Sequence, residues 1–193
     1  MNVSQAAGNK ITHKHVAGFV YVVAGTQTLT TVGGDTLTLQ AGQAGFIGDG
    51  ILHTHINSGS TPNDWYFISV RPTTARKAMP FAPSVKVLYA TPDLPTLAPG
   101  AYNETLRMMN LQPGGRGSAH KNTGVEVFFV LEGSISLHSA GQSPITLIQG
   151  QGSYALPNTG VQEFNTGNSV ARILIFEVGP AGQAFQTHLD QSP

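Results

Sequence analysis

The chain has 193 residues, 40% apolar and 10% charged, with ten basic side chains against ten acidic ones and no cysteine. The apolar share is enough for a buried core and too high for a disordered chain, and the length admits one large domain or two small ones. Balanced charge with no basic cluster excludes a nucleic-acid or anionic-lipid footprint, and the missing cysteines exclude disulfides, thiolate catalysis and zinc–thiolate sites.

Low charge together with abundant Gly, Thr and Asn is the profile of many short strands joined by tight turns. The chain has no apolar run of membrane-spanning length, so no membrane partner is expected. The opening MNVSQAAGNK has no basic-then-apolar leader pattern. A cytoplasmic location is expected, or an extracytoplasmic one if an upstream segment has been removed.

In chain order, Gly8–Gly25 (GNKITHKHVAGFVYVVAG) comes first. It holds His13 and His15 ahead of an apolar strand, Phe19–Val23, that ends at Ala24-Gly25. Strands are expected at Gln27–Val32, Thr36–Gln40 and Gly45–Ile47, the first two joined through Gly33-Gly34-Asp35. Leu52–Ile56 carries a second pair, His53 and His55, and Trp65–Val70 closes the set before Arg71-Pro72. Residues 72–100 contain Pro72, Pro80, Pro83, Pro92, Pro95 and Pro99, and read as a connection laid along the surface with one strand, Val85–Tyr89. Further strands follow at Thr105–Leu111, Val127–Leu131, Ser134–His138, Ile145–Ile148, Ser153–Leu156 and Ala171–Val178, with a short helix expected near Gln183–Leu189.

The second half repeats the first. His13 maps to His120, His15 to Asn122 and Phe19 to Glu126 at an offset of 107, while Gly25 maps to Gly133 and Asn57 to Asn165 at 108. A drift of one residue over a unit is what turn insertions produce. The expected organisation is 1–71 as one β barrel, 72–100 as the connection and 101–193 as a second barrel.

Residues i and i+2 of a strand face one side. His13 and His15 therefore share a face, as do His53 and His55, and two such faces turned inward bring three or four imidazoles together. Neutral imidazole suits Zn, Fe, Ni and Cu. Three protein ligands with open positions are the arrangement of catalytic metal sites. His13, His15 and His53 are the expected ligands, and His55 is either a fourth ligand or a nearby general base. Phe19, Tyr21, Phe46, Trp65 and Tyr66 are expected to wall the pocket, with Phe19 and Tyr21 on the histidine face. In the second half, His120, Asn122, Glu126 and Gln162 offer one imidazole, one carboxylate and two amides. That set reads as a polar pocket without metal or one binding a small polar ligand. His138 and His188 read as structural or exposed.

The stretch GGRGSAHKNTGVEVFFVLEG (114–133) resembles the first motif of cupins through Gly114, His120, Glu126 and Gly133, with Asn122 at a histidine position. GQGSYALPNTGVQEFNTG (150–167) resembles the second through Pro157, Gly160 and Asn165, with Gln162 at the ligand histidine position. The first half resembles both motifs, with Phe19 where the glutamate is expected. The resemblance implies an all-β fold: a double-stranded β-helix (jelly-roll, cupin barrel), duplicated as a bicupin like the cupin_2 conserved barrel proteins. It implies a divalent metal (Fe, Zn, Ni or Mn) and a small-molecule substrate. The chemistry implied is dioxygenase-like, with a metal-dependent isomerase or lyase, or a non-catalytic binding or sensing module for a small or carbohydrate ligand, as alternatives. Because cupins dimerise through strands near the N-terminus and little chain precedes His13, the first barrel's edge is expected to be completed by the other half or by a second chain in a homodimer.

Overall fold

The computed structural model describes residues 1–74 and 85–193. Pro80 and Pro83 of the expected connection lie outside the described residues. The chain divides into two compact units, Met1–Leu88 and Tyr89–Pro193. Among the described residues there are eighteen strands and no α-helix, and no helix is long and apolar enough to cross a membrane.

The first unit runs β1 (Asn2–Gln5), β2 (Lys10–His13), β3 (Gly18–Ala24), β4 (Thr26–Thr31), β5 (Thr36–Gln40), β6 (Ala44–Ile47), β7 (His53–Ile56), β8 (Asn63–Ile68) and β9 (Val85–Lys86). They form two antiparallel sheets, β6-β3-β8-β1-β9 and β2-β7-β4-β5. The second unit runs β10 (Tyr102–Leu111), β11 (His120–Asn122), β12 (Val125–Glu132), β13 (Ser134–Ser139), β14 (Ile145–Ile148), β15 (Gly152–Ala155), β16 (Gly160–Phe164), β17 (Ala171–Pro180) and β18 (Gln186–His188). Its sheets are β10-β17-β12-β15 and β14-β13-β16-β11-β18. Strand for strand the orders are the same, β1 with β10 through β8 with β17, so the fold is a duplicated jelly-roll barrel.

The duplication extends to single turns. Both long strands bulge before a left-handed glycine: β3 between Val22 and Ala24 ahead of Gly25 (φ 78°), and β12 between Val130 and Glu132 ahead of Gly133 (φ 74°). A side chain at Gly25 would also meet Asn63 Cβ at 2.8 Å, so glycine is required there on two counts. Asn57 and Asn165 tie matching loops. Each amide donates to two carbonyls, of Gln5 and Thr61 in one unit and of Leu111 and Ser169 in the other.

Alternation fills each barrel. In the first unit Val20, Val22, Leu29, Leu39, Ile47, Trp65 and Phe67 form the core, and in the second Phe128, Val130, Ile135, Leu137, Ile173 and Ile175 do so. This overturns the expected pocket wall. On β3 it is Val20 and Val22 that face inward. Phe19 and Tyr21 turn the other way, where the Phe19 ring lies 5.1 Å from Phe46 and Tyr21 lies 6.2 Å from Tyr66. Of the aromatics expected around the histidines, Trp65 packs in this core cluster, joined by Phe67, while Tyr21 is buried on the opposite face of β3.

Two edges also differ from expectation. The strand expected over Val85–Tyr89 is only Val85–Lys86, and it pairs with β1, so the first unit's edge is extended by this chain's own backbone. The tail is not helical. Gln186–His188 pairs antiparallel with β11, and the Leu189 amide donates to Ala119 O. An open strand edge with unpaired amides and carbonyls outweighs weak local helix propensity here.

Candidate metal centre

In the first unit the barrel brings its four histidines to one place. His13 on β2 stands directly across from His53 on β7, and His15 follows two residues after His13. The ligand atoms of His13, His15, His53 and His55 all lie within 4.8 Å of one another. His53 and His55 are buried, and His13 and His15 are half-buried. The cluster therefore meets solvent on the His13–His15 side.

Hydrogen bonds decide which nitrogens face the centre. His15 Nδ1 lies 2.7 Å from Val16 O, and His53 Nδ1 lies 2.8 Å from Ile51 O. A carbonyl can only accept, so both Nδ1 atoms carry the proton and both Nε2 atoms are bare in the neutral rings. Metal-binding histidines are held in this way, the second nitrogen donating to a carbonyl. His13 Nε2 and His15 Nε2 are buried without a hydrogen-bond partner. His53 Nε2 and His55 Nε2 lie 2.9 Å apart. The donor set thus fits a divalent transition metal.

The surroundings of His13, His15 and His55 disfavour the charged rings. Burial, and then the neighbouring imidazoles, push His55 down to about 2. Burial is also the main cause of the His15 value of about 4, and it lowers His13 as well. The His55 ring is stacked on Trp65 at 4.3 Å and 7°. His15 packs on Phe67 at 4.1 Å.

Ladder register relocates the missing acid. Glu126 pairs with Ala155, and Gly18 pairs with Ile47, its counterpart at an offset of 108. The position equivalent to Glu126 is therefore Gly18, not Phe19. A side chain at Gly18 would collide with Ile68 O and would meet the Phe67 ring at 2.8 Å. The ring that packs on His15 thus fills the space a carboxylate would need.

The second unit has different chemistry. Glu126 is fully buried and accepts from Arg107 Nη2 (2.8 Å), His120 Nε2 (2.9 Å) and Asn122 Nδ2 (2.6 Å). Arg107 Nε also donates to Glu177 at 2.7 Å. His120 Nδ1 lies 2.7 Å from Ser118 O. Both ring nitrogens of His120 lie beside oxygens, an arrangement that favours the charged ring. Burial opposes that charge, but the bonds to Glu126 and Ser118 O outweigh it and raise the pKa. Gln162 is not part of this cluster. It lies on the other face of β16, where its amide donates to Gly117 O at 2.8 Å.

Glu163 stands there instead, and the sequence reading missed it. Leu29 pairs with His55 and Leu137 pairs with Glu163, so Glu163 is the counterpart of His55, and Val161 is the counterpart of His53. The signal was available: Glu163 precedes Asn165 by two residues, as His55 precedes Asn57. Glu163 is fully buried, and neither carboxylate oxygen has a hydrogen-bond partner. Burial, and then the charge of Glu126, raise it to about 7. With His120 and Glu126 it forms a second group of ligand-type atoms. His138 packs on Phe164 at 4.4 Å, and His188 is exposed on β18.

No curated protein sequence matches the chain. Solved structures do match in fold. AerE from Microcystis aeruginosa is 20% identical, with 91% of this chain and 84% of that one covered at a TM-score of 0.63. A Bacillus subtilis oxalate decarboxylase with Mn(II) centres is 11% identical, covering 97% and 70% at 0.66. Salicylate 1,2-dioxygenase from Pseudaminobacter salicylatoxidans is 17% identical, covering 91% and 69% at 0.55. The family profile described as "Cupin domain" matches residues 2–69 and again 107–177, one match in each compact unit. Two matches on two like-ordered barrels make the chain a member of the cupin family, of the two-domain, bicupin kind.

Proposed function

We propose that the first barrel is a metal-dependent active site for a small organic molecule, with His13, His15 and His53 as metal ligands. The observation that carries this is the tautomer geometry. Carbonyl acceptors at Val16 and Ile51 turn two bare Nε2 atoms toward a third imidazole, with no carboxylate in the group. A divalent ion bound there would supply a Lewis acid for substrate, water or dioxygen. The chain's own residues hold the rings neutral, orient them, and keep water from the deep side with Trp65 and Phe67. Dioxygenase-type chemistry is the favoured reaction class, in keeping with the name of one structural relative. The decarboxylase relative keeps lyase chemistry open as an alternative.

Of the two roles expected for His55, we assign it the fourth nitrogen ligand rather than the general base. A group pushed down to about 2 accepts protons poorly near neutral pH, and its Nε2 already lies beside that of His53. The second barrel is assigned as a metal-free polar pocket. Its one imidazole is engaged by Glu126 and Ser118 O, and its buried Glu126 is already bound by Arg107, His120 and Asn122. The test is elemental analysis of the purified full chain. About one transition metal per chain is expected, lost in His53→Ala and retained in His120→Ala. In His55→Ala the metal affinity should fall at least about tenfold. A wild-type protein that holds no Fe, Mn, Ni or Zn after loading overturns the proposal and leaves a non-catalytic binding module as the reading.

A further inference from the structure

We infer that a cleft on the outer wall of the second barrel binds a small zwitterion of the amino-acid type, with an ammonium and a carboxylate on one short carbon frame. The cleft lies in the second unit, so the inference does not rest on the metal reading above.

The chain builds the cleft from the outside of β16 and its own last residues. Val161 points into the core, so by alternation Gly160 and Gln162 point outward, away from Glu126 and Glu163. A side chain at Gly160 would meet Leu189 Cδ1 at 3.1 Å and Pro193 Cβ at 3.2 Å, so the glycine makes room for the tail to cross this face. The Leu189 amide donates to Ala119 O at 2.8 Å, which pins the tail beside β11. Arg116 reaches the same face, because it pairs with Phe164, two residues on from Gln162. Between tail and wall lies a cavity of about 480 Å³, with Arg116, Ser118, Gln162, Asp190 and Ser192 in its lining. That volume is in the range of small-molecule sites.

Gln162 is the fixed point of the cleft. It is 5% exposed, and its amide nitrogen donates to Gly117 O at 2.8 Å. A carbonyl can only accept, so the nitrogen is held at that end and Oε1 at the other. That oxygen is buried without a hydrogen-bond partner. A buried acceptor left unpaired is costly, so the cleft calls for an N–H or O–H donor. Two opposite charges then narrow the class. Arg116 and Asp190 line the cleft from exposed positions, and among the described residues neither forms an ion pair. An ammonium shared by Gln162 Oε1 and Asp190, with a carboxylate on Arg116, satisfies all three groups together. A neutral sugar leaves Arg116 unmatched, and among the described residues the lining offers it no Phe, Tyr or Trp face. Ser118 and Ser192 suit a short or polar side chain on the ligand.

The experiment is calorimetric titration of the full chain with glycine and L-serine as probes. At least one of them should bind with a Kd of about 1 mM or tighter. Ethanolamine lacks the carboxylate of serine and 3-hydroxypropionate lacks its ammonium, and each should bind at least about tenfold more weakly than the amino acid. Arg116→Gln should weaken the amino acid by about tenfold and leave ethanolamine unchanged, and Asp190→Asn should weaken it similarly and leave 3-hydroxypropionate unchanged. Gln162→Met should weaken it by about tenfold or more with circular dichroism unaltered. Should Gln162→Met not fold, the exposed Arg116 and Asp190 variants still decide. No binding of either amino acid to wild type overturns the inference and leaves the cleft as hydrated surface. Ethanolamine or 3-hydroxypropionate binding as tightly as the amino acid overturns the zwitterion class, and equal amino-acid affinity in wild type, Arg116→Gln and Asp190→Asn overturns the site.

Discussion

Replacing Glu163 with Gln isolates the energetic consequence of a buried acid without partners. Glu163 is fully buried, with both oxygens unpaired, and its pKa is raised from the ordinary 4.5 to about 7, chiefly by burial. At about 1.4 kcal/mol per pH unit, the ionised native state is disfavoured by about 3 kcal/mol. The sign follows from proton binding. Between pH 4.5 and about 7 the native state keeps a proton that the unfolded chain has released, so stability falls as pH rises through that window. The loss is complete above pH 7. Glu163→Gln removes the titration and keeps the shape, adding at most a constant offset for placing an amide. Urea titrations from pH 5 to 8.5, followed by circular dichroism, should show the variant gaining on wild type by about 3 kcal/mol across the range. Parallel curves for the two proteins would refute the reasoning, because they would mean that Glu163 is charged in the fold and that its oxygens find donors.

Gly18→Ala should destabilise the first barrel by about 1–3 kcal/mol, since the added carbon collides with Ile68 O and the Phe67 ring. A melting temperature equal to wild type would contradict this. In metal-free Glu163→Gln protein, where the opposing titration of Glu163 is removed, stability should fall as pH drops from 6.5 toward 4. Over that range the unfolded histidines take up protons that native His15 and His55, held at about 4 and about 2, do not. A melting temperature that stays flat over that range would count against the buried neutral rings. Trp65 is the chain's one tryptophan and is stacked on His55 at 4.3 Å. Binding of Co(II) or Cu(II) should therefore quench intrinsic fluorescence in proportion to loading in wild type, and should fail to do so in His53→Ala.

How much of this was legible in the residues depends on whether a feature is set by local pattern or by register. Alternation and turn glycines carry the strands. Thr36–Gln40 and Ile145–Ile148 are strands over the expected residues, and His53 and His55 share a face of β7 as period 2 requires, whereas His15 lies past the end of β2. The short pairing strands β1, β11, β16 and β18 have weak patterns of their own and exist because a neighbour offers an edge. The acid position fails for a more instructive reason. His15 is followed by Gly18 at the start of β3, whereas Asn122 is followed four residues later by Glu126, so the first unit's link is one residue shorter. Counting along the chain with the offset of 107 lands on Phe19, and a slip of one residue moves a side chain to the opposite face of a strand. The same error chose Gln162. Counting back from Asn165 by the four residues that separate Asn57 from His53 reaches Val161, and two residues further on lies Glu163. The asparagine loop is the better anchor because its amide ties two strands' ends through named carbonyls. A motif histidine, by contrast, can drift with the turn before it. Read from that anchor, the two barrels do more than lose ligands at different places. One has exchanged its acid for room to seat an aromatic ring, and the other has exchanged a histidine for a buried proton.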